Sequence, residues 1–542
     1  MSSTARTLIV NNIKLPINAS FEEAFSVAEA RLRVASIVAR SPEFSIYKKS
    51  VDARRRDDVM LVYSVAVTAD FSGITEKSLI KAGAVTEKNA FPTVEFGDET
   101  LSSRPVIVGS GPCGLFSALI LAENGYAPII IERGGSVAER KAQIEKFKKT
   151  RILDTNTNIQ FGAGGAGTFS DGKLITRIND GFSSYVLKRF VEFGAPREIL
   201  YLAKPHIGTD ILCEVVERMT ERITELGGEI RYHTRLTDFR VTPRLTEIET
   251  NNGTIEAGAL VLALGHSSRD TYEMLISKNI PIEPKNFSVG MRIEHLAEKI
   301  DYSMYGKFAG HPALGHAEYA LSHNTKVRGV YTFCMCPGGE VVAAASEDGG
   351  VVVNGMSEHS RGGKNSNSAV VCSVFREDYG NTPHSAIEFQ RKIERAAFVA
   401  GGSNYSAPII TFGDFVSGRL SAQPTEVQPT YMNGDGVRLA SPYSYLPDKI
   451  CDSIKNAILD FDRKIHGFAD SAAILTGAET RTSAPLRIMR NDETRLALGF
   501  ENLYPAGEGA GYAGGITSAA IDGIRTSLAI MKKFKPYNKM LG

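Results

Sequence analysis

At 542 residues the chain is long for one domain and comfortable for two or three, and its 43% hydrophobic and 23% charged residues give a soluble, globular balance. Lys and Arg total 62 against 61 Asp and Glu, a net charge of +1, which argues against nucleic acid as a partner. The opening MSSTARTLIVNNIKLP lacks an apolar signal-peptide core. The longest apolar run, Val106 to Ala122, is too interrupted for a membrane span, and six scattered cysteines point to a reducing, cytoplasmic setting.

Residues 1 to about 70 read as a small α/β unit. TLIVNNI is a strand. SFEEAFSVAEARLRVAS places Phe21, Ala24, Phe25, Ala28 and Leu32 at helical spacing, with Ser20 and Glu23 set for a capping box. FSIYKKSVD and VMLVYSVAVTA are two further strands around DARRRDD, a solvated basic turn rather than a docking site. This order suggests a ferredoxin-like or similar small sheet. Residues 70 to 103 are polar and mixed, as a linker would be.

The character changes at Arg104. PVIV is a buried strand, LFSALILAENG an apolar helix closed by Asn124-Gly125, and APIIIE a second buried strand: a βαβ unit. DILCEVVERMTERITELGG is a clear helix, followed by strands with a turn at Asn252-Gly253. Residues 275 to 475 mix strands such as GVYTFCM with helices such as AIEFQRKIERAAF. The chain then returns to a buried strand and helix in NLYPAGEGAG and GGITSAAIDGIRTSLAIMKKF. The expected fold class is α/β. A Rossmann-like domain, a parallel sheet with an inserted β-meander, spans residues 101–274 and 476–542. It is interrupted by an α+β domain at 275–475 and preceded by the ferredoxin-like unit and linker at 1–100.

Two stretches satisfy the dinucleotide pattern G-x-G-x-x-G. In VIVGSGPCGL a buried strand precedes, an apolar helix follows, and Glu132 ends the next strand. Gly109 suits the tight turn, Gly111 the approach of a pyrophosphate, and Gly114 close helix–strand packing. The helix N-terminus offers N–H groups to phosphates, and Glu132 can accept from ribose hydroxyls. Cys113 reads as a small packing residue. FGAGGAGTFSDGK, Phe161 to Lys173, has no such setting: polar sequence precedes it and no apolar helix follows. Its glycines, Gly164 and Gly165 among them, suit a loop lying over the cofactor of the first site. Ser170 and Lys173 would then stand near the ring or phosphates.

YPAGEGAGYAGGITSAAIDGIRTSLAI looks like the second flavin motif of the glutathione-reductase-like flavoproteins. That likeness implies FAD, contacted by Gly507-Glu508 and faced by the helix N-terminus at Gly515 and Ile516. VLALGHSS, with Gly265, resembles their middle strand motif. In order, KKSVDARRRDDVMLVYSV, VIVGSGPCGLFSAL, FGAGGAGTFSDGKL, LALGHSSRDTYEML, FSVGMRIEH, FCMCPGGEVV, RGGKNSNSAVV and LYPAGEGAGYAGGITSAAIDG resemble a bacterial family of FAD-dependent dehydrogenases over residues 1 to 535. The resemblance implies an FAD domain, an inserted domain and an N-terminal α/β domain, with no established substrate. Glu508 stands where the superfamily commonly has Asp. Pro112, Arg133 and Leu236 complete the expected cofactor contacts.

The expected function is oxidation or reduction of a small organic substrate by hydride transfer at the flavin. A flavin monooxygenase and a non-catalytic FAD-binding scaffold are the alternatives. NAD(P)H, a quinone or a protein can supply electrons. No C-x-x-C or C-x-x-x-x-C pair is present, which argues against a disulfide reductase. The close pair is Cys334-Met-Cys336, and Cys336 is taken with Lys173 and Arg361 as a candidate for catalysis. Arg361 and Lys364 lie in a polar, glycine-bearing stretch suited to an anionic substrate. No metal site is expected. His266 borders the cofactor motif, while His295, His311, His316, His323 and His359 read as ordinary surface or core histidines.

Overall fold

A computed structural model of the chain describes residues 6–86, 94–175, 181–325, 327–420 and 423–537. Part of the expected linker, 87–93, and the end of the segment after FSDGK, 176–180, lie outside these. Two compact units emerge, and they cut across the expected boundaries. One takes Met1–Pro92, Asn179–His206 and Glu298–Ala317; the other takes Thr93–Ile178, Ile207–Ala297 and Glu318–Gly542.

The smaller unit is built on an antiparallel sheet in the order Val38–Asp52, Met60–Ser72, Arg6–Pro16, Ala84–Thr86. Alternation along Arg6–Pro16 and Met60–Ser72 turns Leu8, Val10, Leu61, Tyr63, Val65 and Val67 into one core. The helix Phe21–Val34 covers it with Ala24, Ala28 and Leu32. The capping box forms: the Ser20 side chain accepts from the Glu23 N–H, and Glu23 accepts from the Ser20 N–H at 2.8 Å. The stretch taken as a linker instead begins with a second helix, Glu76–Ala82, and the fourth strand. Thr75 caps that helix and left-handed Gly83 ends it, so polar residues there serve as caps rather than as loop. The resulting order is strand–helix–strand–strand–helix–strand. Residues 181–206 join this unit through long-range contacts that no local pattern encodes. Lys49 N–H donates to the Tyr201 carbonyl at 2.7 Å, and the Phe21 and Tyr201 rings meet edge to face at 6.0 Å.

The larger unit holds a five-stranded parallel sheet in the order Leu503–Pro505, Ala259–Leu262, Pro105–Val108, Ile129–Ile131, Glu229–Arg231. Its central strands are apolar on both faces, as burial between helices requires. The helices Pro112–Glu123 and Ile516–Lys533 pack together, with the Ser117 and Ser527 hydroxyls 2.9 Å apart. A three-stranded meander follows from Leu236–Asp238 to Gly253–Glu256, with Asn252-Gly253 at its second turn. A mixed seven-stranded sheet occupies the 287–479 region. At its centre Gly329–Cys336, Asn365–Val374, Phe287–Leu296 and Ile474–Glu479 pair antiparallel in that order. No helix among the described residues is long and apolar enough to cross a membrane.

Candidate functional site

The larger unit contains a cavity of about 320 Å³. One stretch of its wall is the turn after Pro105–Val108. Gly109 is left-handed, at φ +102°, and an added Cβ would lie 2.4 Å from the Ala263 carbonyl oxygen. Gly114 packs the helix onto the turn, since a Cβ there would lie 1.9 Å from the Gly109 oxygen. Gly111 is open: a Cβ would meet nothing nearer than 3.9 Å. Gly111, Pro112 and Cys113 line the cavity. Burial pushes the Cys113 thiol up, which leaves it an inert packing group.

The second glycine run folds against the first. Gly164 N–H donates to the Ser110 carbonyl at 3.0 Å, and a Cβ on Gly165 would lie 2.9 Å from the Gly111 Cα. Gly165, Ala166, Gly167, Ser170 and Lys173 line the same cavity. Gly164 does not; its absent side chain makes room for Thr168 and Val216.

Glu132 lines the cavity, yet its acceptor capacity is filled by the protein. Oε2 takes the Ser110 N–H at 3.0 Å and hydroxyl at 2.8 Å; Oε1 takes the Gly134 and Gly162 N–H groups at 3.0 and 2.9 Å. Four bonds use the roughly four lone-pair sites of a carboxylate, and within the protein Glu132 ties the glycine turns together. Beside it, Arg133 bonds Asp270 at 2.8 Å and stacks on Phe161 at 4.3 Å.

Arg140 was invisible to sequence reasoning. Fully buried, its guanidinium donates to the carbonyls of Asn158 and Ile159 at 3.1 and 3.0 Å and of Gly165 at 3.1 Å, and lies over the Phe169 ring at 4.6 Å. Burial draws it down to about 10, against the pull of the Glu132 charge. An Arg on the polar-looking helix Val137–Thr150 gave no signal that it would turn inward.

The far wall comes from the C-terminal motif. Glu508, Gly514, Gly515 and Ile516 line it, as do Gly265 and Leu236. A Cβ at Gly265, Gly514 or Gly515 would meet nothing within 4 Å. Gly507 sits behind, where a Cβ would press on Cys113 at 2.8 Å, and its N–H donates to Asp522 at 2.8 Å. Burial pushes the Glu508 carboxyl up to about 7. The helices Pro112–Glu123 and Ile516–Lys533 both start at glycines with no side-chain cap, so both present N–H donors there. Open glycines and two uncapped helix starts on one cavity fit a flavin dinucleotide.

The remaining wall carries titratable groups. His266 bonds Ser267 at 2.9 Å, and burial, with the Arg481 and Arg269 charges, lowers its imidazole to about 3, so it is neutral. Arg481 lines the cavity and pairs with buried Glu394 at 3.1 Å. Glu394 also holds Arg269 at 2.7 Å. None of the other histidines singled out in the sequence lines the cavity.

Two of the three expected reacting residues are displaced. Arg361 does not line the cavity. It forks onto Asp171 at 3.0 and 2.6 Å and reaches Glu318 at 2.7 Å, so it positions Asp171, which does line it. Lys364 is exposed and also lies off the wall. Cys336 is buried behind the wall; Cys334 faces the cavity in its place. Lys173 does face it, paired with Asp171 at 3.0 Å and donating to the Met335 carbonyl.

Residues 286–482 match the family described as FAD-dependent protein, C-terminal domain-like. An uncharacterized protein of Clostridium beijerinckii is 44% identical over 536 residues, covering 97% of this chain and 98% of its own. Among solved structures, glycine oxidase from Bacillus cereus aligns at TM-score 0.35 and 11% identity, over 81% of this chain and 99% of that one. L-amino acid deaminase from Proteus vulgaris aligns at 0.32 and 12%, over 83% and 98%. CtdE in complex with FAD aligns at 0.32 and 13%, over 80% and 84%. Likeness of that size carries no argument. The clostridial match and the domain match show the family and the cofactor: this chain belongs to the same family as the clostridial protein, a family of FAD-dependent proteins, and FAD is its cofactor.

Proposed function

We propose that the protein is a flavin oxidoreductase that binds FAD along the cavity and a small organic substrate at its Lys173–Arg481 end. The observation that carries this reading is the pair of uncapped helix N-termini opening, through Gly111 and Gly515, onto one cavity with a titratable far wall. The N–H groups of the first helix would hold the pyrophosphate. With Glu132 occupied, the adenosine ribose would meet Arg133, Thr234 and Arg235, which line that end. When bound, FAD supplies hydride chemistry. The N–H groups at Ile516 favour negative charge beside them, and Lys173 adds a cation. Glu508, partly protonated, is the group that can hold or release a proton near neutral pH, while His266 stays neutral there.

Among the described residues the parallel sheet carries a single strand–glycine–helix turn of the dinucleotide type. NAD(P)H, as electron donor, would therefore share this cavity, and a quinone or protein donor would deliver electrons at its mouth. The 286–482 domain supplies Phe333, Cys334, Asn354 and Arg481 to the wall, which supports a substrate-binding role for it. Six unpaired cysteines support a reducing, cytoplasmic setting.

The test is anaerobic. The purified protein is expected to be yellow and to release FAD on denaturation. Its flavin absorbance is followed against NADH, NADPH and a panel of small metabolites. Bleaching by at least one reductant, reversed by a second compound, is the expected result. FAD that no donor reduces would favour a scaffold and sink the enzyme reading.

A further inference from the structure

Arg292 lies on the strand Phe287–Leu296 and is fully buried. That strand and Ile474–Glu479 fall out of step: Gly290 faces Glu479 and Arg292 faces Thr476, so two steps oppose three, a β-bulge before Glu479. The Arg292 Nε donates to Glu479 Oε2 at 2.9 Å, and its Nη2 donates to Asn354 Oδ1 at 2.9 Å. Nε and Nη2 form one edge of the planar guanidinium, so the carboxyl and the amide are held side by side. The Nη1 group goes to Asn367 at 2.7 Å and to the Cys334 carbonyl at 3.0 Å. Gly355 makes room for this fork, since an added Cβ would lie 2.2 Å from Nη1.

Arg292 thus takes one oxygen of each neighbour and leaves the other end of each. Asn354 Oδ1 also accepts the Gly355 N–H at 2.8 Å, which fixes the amide with Nδ2 as its remaining group. Glu479 is only 2% exposed, and both residues line the cavity. Among the described residues neither Glu479 Oε1 nor Asn354 Nδ2 has a hydrogen-bond partner. One free acceptor and one free donor therefore stand together on a wall where polar groups need partners. The fixed charges at this end are already matched: Lys173 and Arg361 against Asp171 and Glu318, Arg481 and Arg269 against Glu394 and Glu347, and Arg292 against Glu479. A charged ligand would find no unpaired counter-charge among these groups, which favours a neutral one.

We propose that Glu479 and Asn354 form the hydrogen-bonding edge that selects the ligand at this end, an uncharged molecule whose N–H stands beside a carbonyl, as in a lactam or cyclic imide. The ligand N–H donates to Glu479 Oε1, and the ligand carbonyl accepts from Asn354 Nδ2. An edge of this kind rejects the analogue that lacks the donor, because the carboxylate oxygen is then left unpaired. Burial pushes the Glu479 carboxyl up to about 7, against the pull of Arg292 and with a smaller push from Cys334, so its acceptor character is complete only above neutral pH. The isoalloxazine ring of FAD carries the same N–H and carbonyl edge, so the flavin and a small substrate are the two sources of this chemistry.

The edge stands on the contacts above; its place at the substrate end rests on the function proposed above. The full chain, FAD-free and FAD-loaded, is titrated at about pH 8 with γ-butyrolactam and with its N-methyl derivative, and binding is read by calorimetry. The lactam is expected to bind about tenfold more tightly than the N-methyl compound. Two substitutions keep the oxygen that Arg292 holds and invert the free group: Glu479→Gln turns the acceptor into a donor, and Asn354→Asp the donor into an acceptor. Thermal melting checks that both fold. Each should weaken lactam binding about tenfold, and Glu479→Gln should erase the preference over the N-methyl compound. Discrimination in the loaded protein, with FAD affinity unchanged in Glu479→Gln, assigns the edge to a small substrate. Discrimination in the FAD-free protein alone, with FAD affinity lowered about tenfold in Glu479→Gln, assigns it to the flavin ring. Equal binding of the two compounds, binding of neither, or a preference that survives both substitutions overturns the proposal. A chain that refuses FAD yet discriminates between the two would sink the flavoenzyme reading and leave the edge standing.

Discussion

Gly109–Gly114 and Gly162–Gly167 spell the same pattern, but a methyl group added to each meets different things. In the first run Gly111 looks into empty cavity, with nothing nearer than 3.9 Å. In the second, a Cβ on Gly162 would strike the Arg140 side chain at 2.2 Å and one on Gly164 the Thr168 hydroxyl at 2.0 Å. At Gly111 the first run leaves room for a ligand; at Gly162 and Gly164 the second leaves room for protein. The same letters therefore serve binding in one place and packing in the other, and what separates them is the element that follows. A helix N-terminus aims donors outward, whereas the short 3-10 turn Ala166–Phe169 folds back over an arginine.

The widest separation should come from Gly111→Val against Gly164→Ala. Gly111→Val is expected to raise the Kd for FAD about a thousandfold, ~4 kcal/mol, with the unfolding midpoint of the FAD-free protein unchanged. Gly164→Ala, strained at φ +81° as well as crowded, should lower the stability of the FAD-free protein by about 3 kcal/mol in denaturant. A Gly164→Ala protein of full stability that still failed to bind FAD would erase the distinction. Next, Arg140→Met should cost about 3 kcal/mol, because buried carbonyls lose a charged donor. Refolding with the loop order intact, seen by unchanged proteolysis of residues 158–169, would deny the packing role.

Glu508 sharpens the comparison from the ligand side. Its folded ionisation lies above the ordinary glutamate value of about 4.3, so its contribution to stability is full below that value and is lost as pH rises through about 7. Across that interval the FAD-free protein is expected to lose about 2 kcal/mol, and Glu508→Gln should flatten the slope. The smallest effect is expected of Arg361→Lys, about 1.5 kcal/mol with FAD retained, since Lys cannot fork onto Asp171 from behind the wall. Loss of FAD in that variant would return Arg361 to the site.

Much of this was open to reading in one dimension. The strand, turn and helix at 105–123, the capping box at Ser20 and Glu23, and the hairpin at Asn252-Gly253 are local, set by side-chain period and by residues a few positions apart. The polar stretch after residue 70 misled because caps and linkers share composition.

The sequence by itself determined the elements and the identity of the first glycine turn, because a buried strand, a glycine turn and an apolar helix are contiguous and need no partner to be recognised. Tertiary structure alone decided which group does what inside the cavity. Glu132 is filled by N–H groups from turns at Ser110 and Gly162, far apart in the chain, and Arg361 spends its charge on Asp171. Cys334 displaces Cys336 because one extra residue in a strand rotates the chain at a bulge whose carbonyls are held by Arg292 and Lys173. Those choices rest on hydrogen bonds and charge pairs between distant segments, and no spacing within either segment records them.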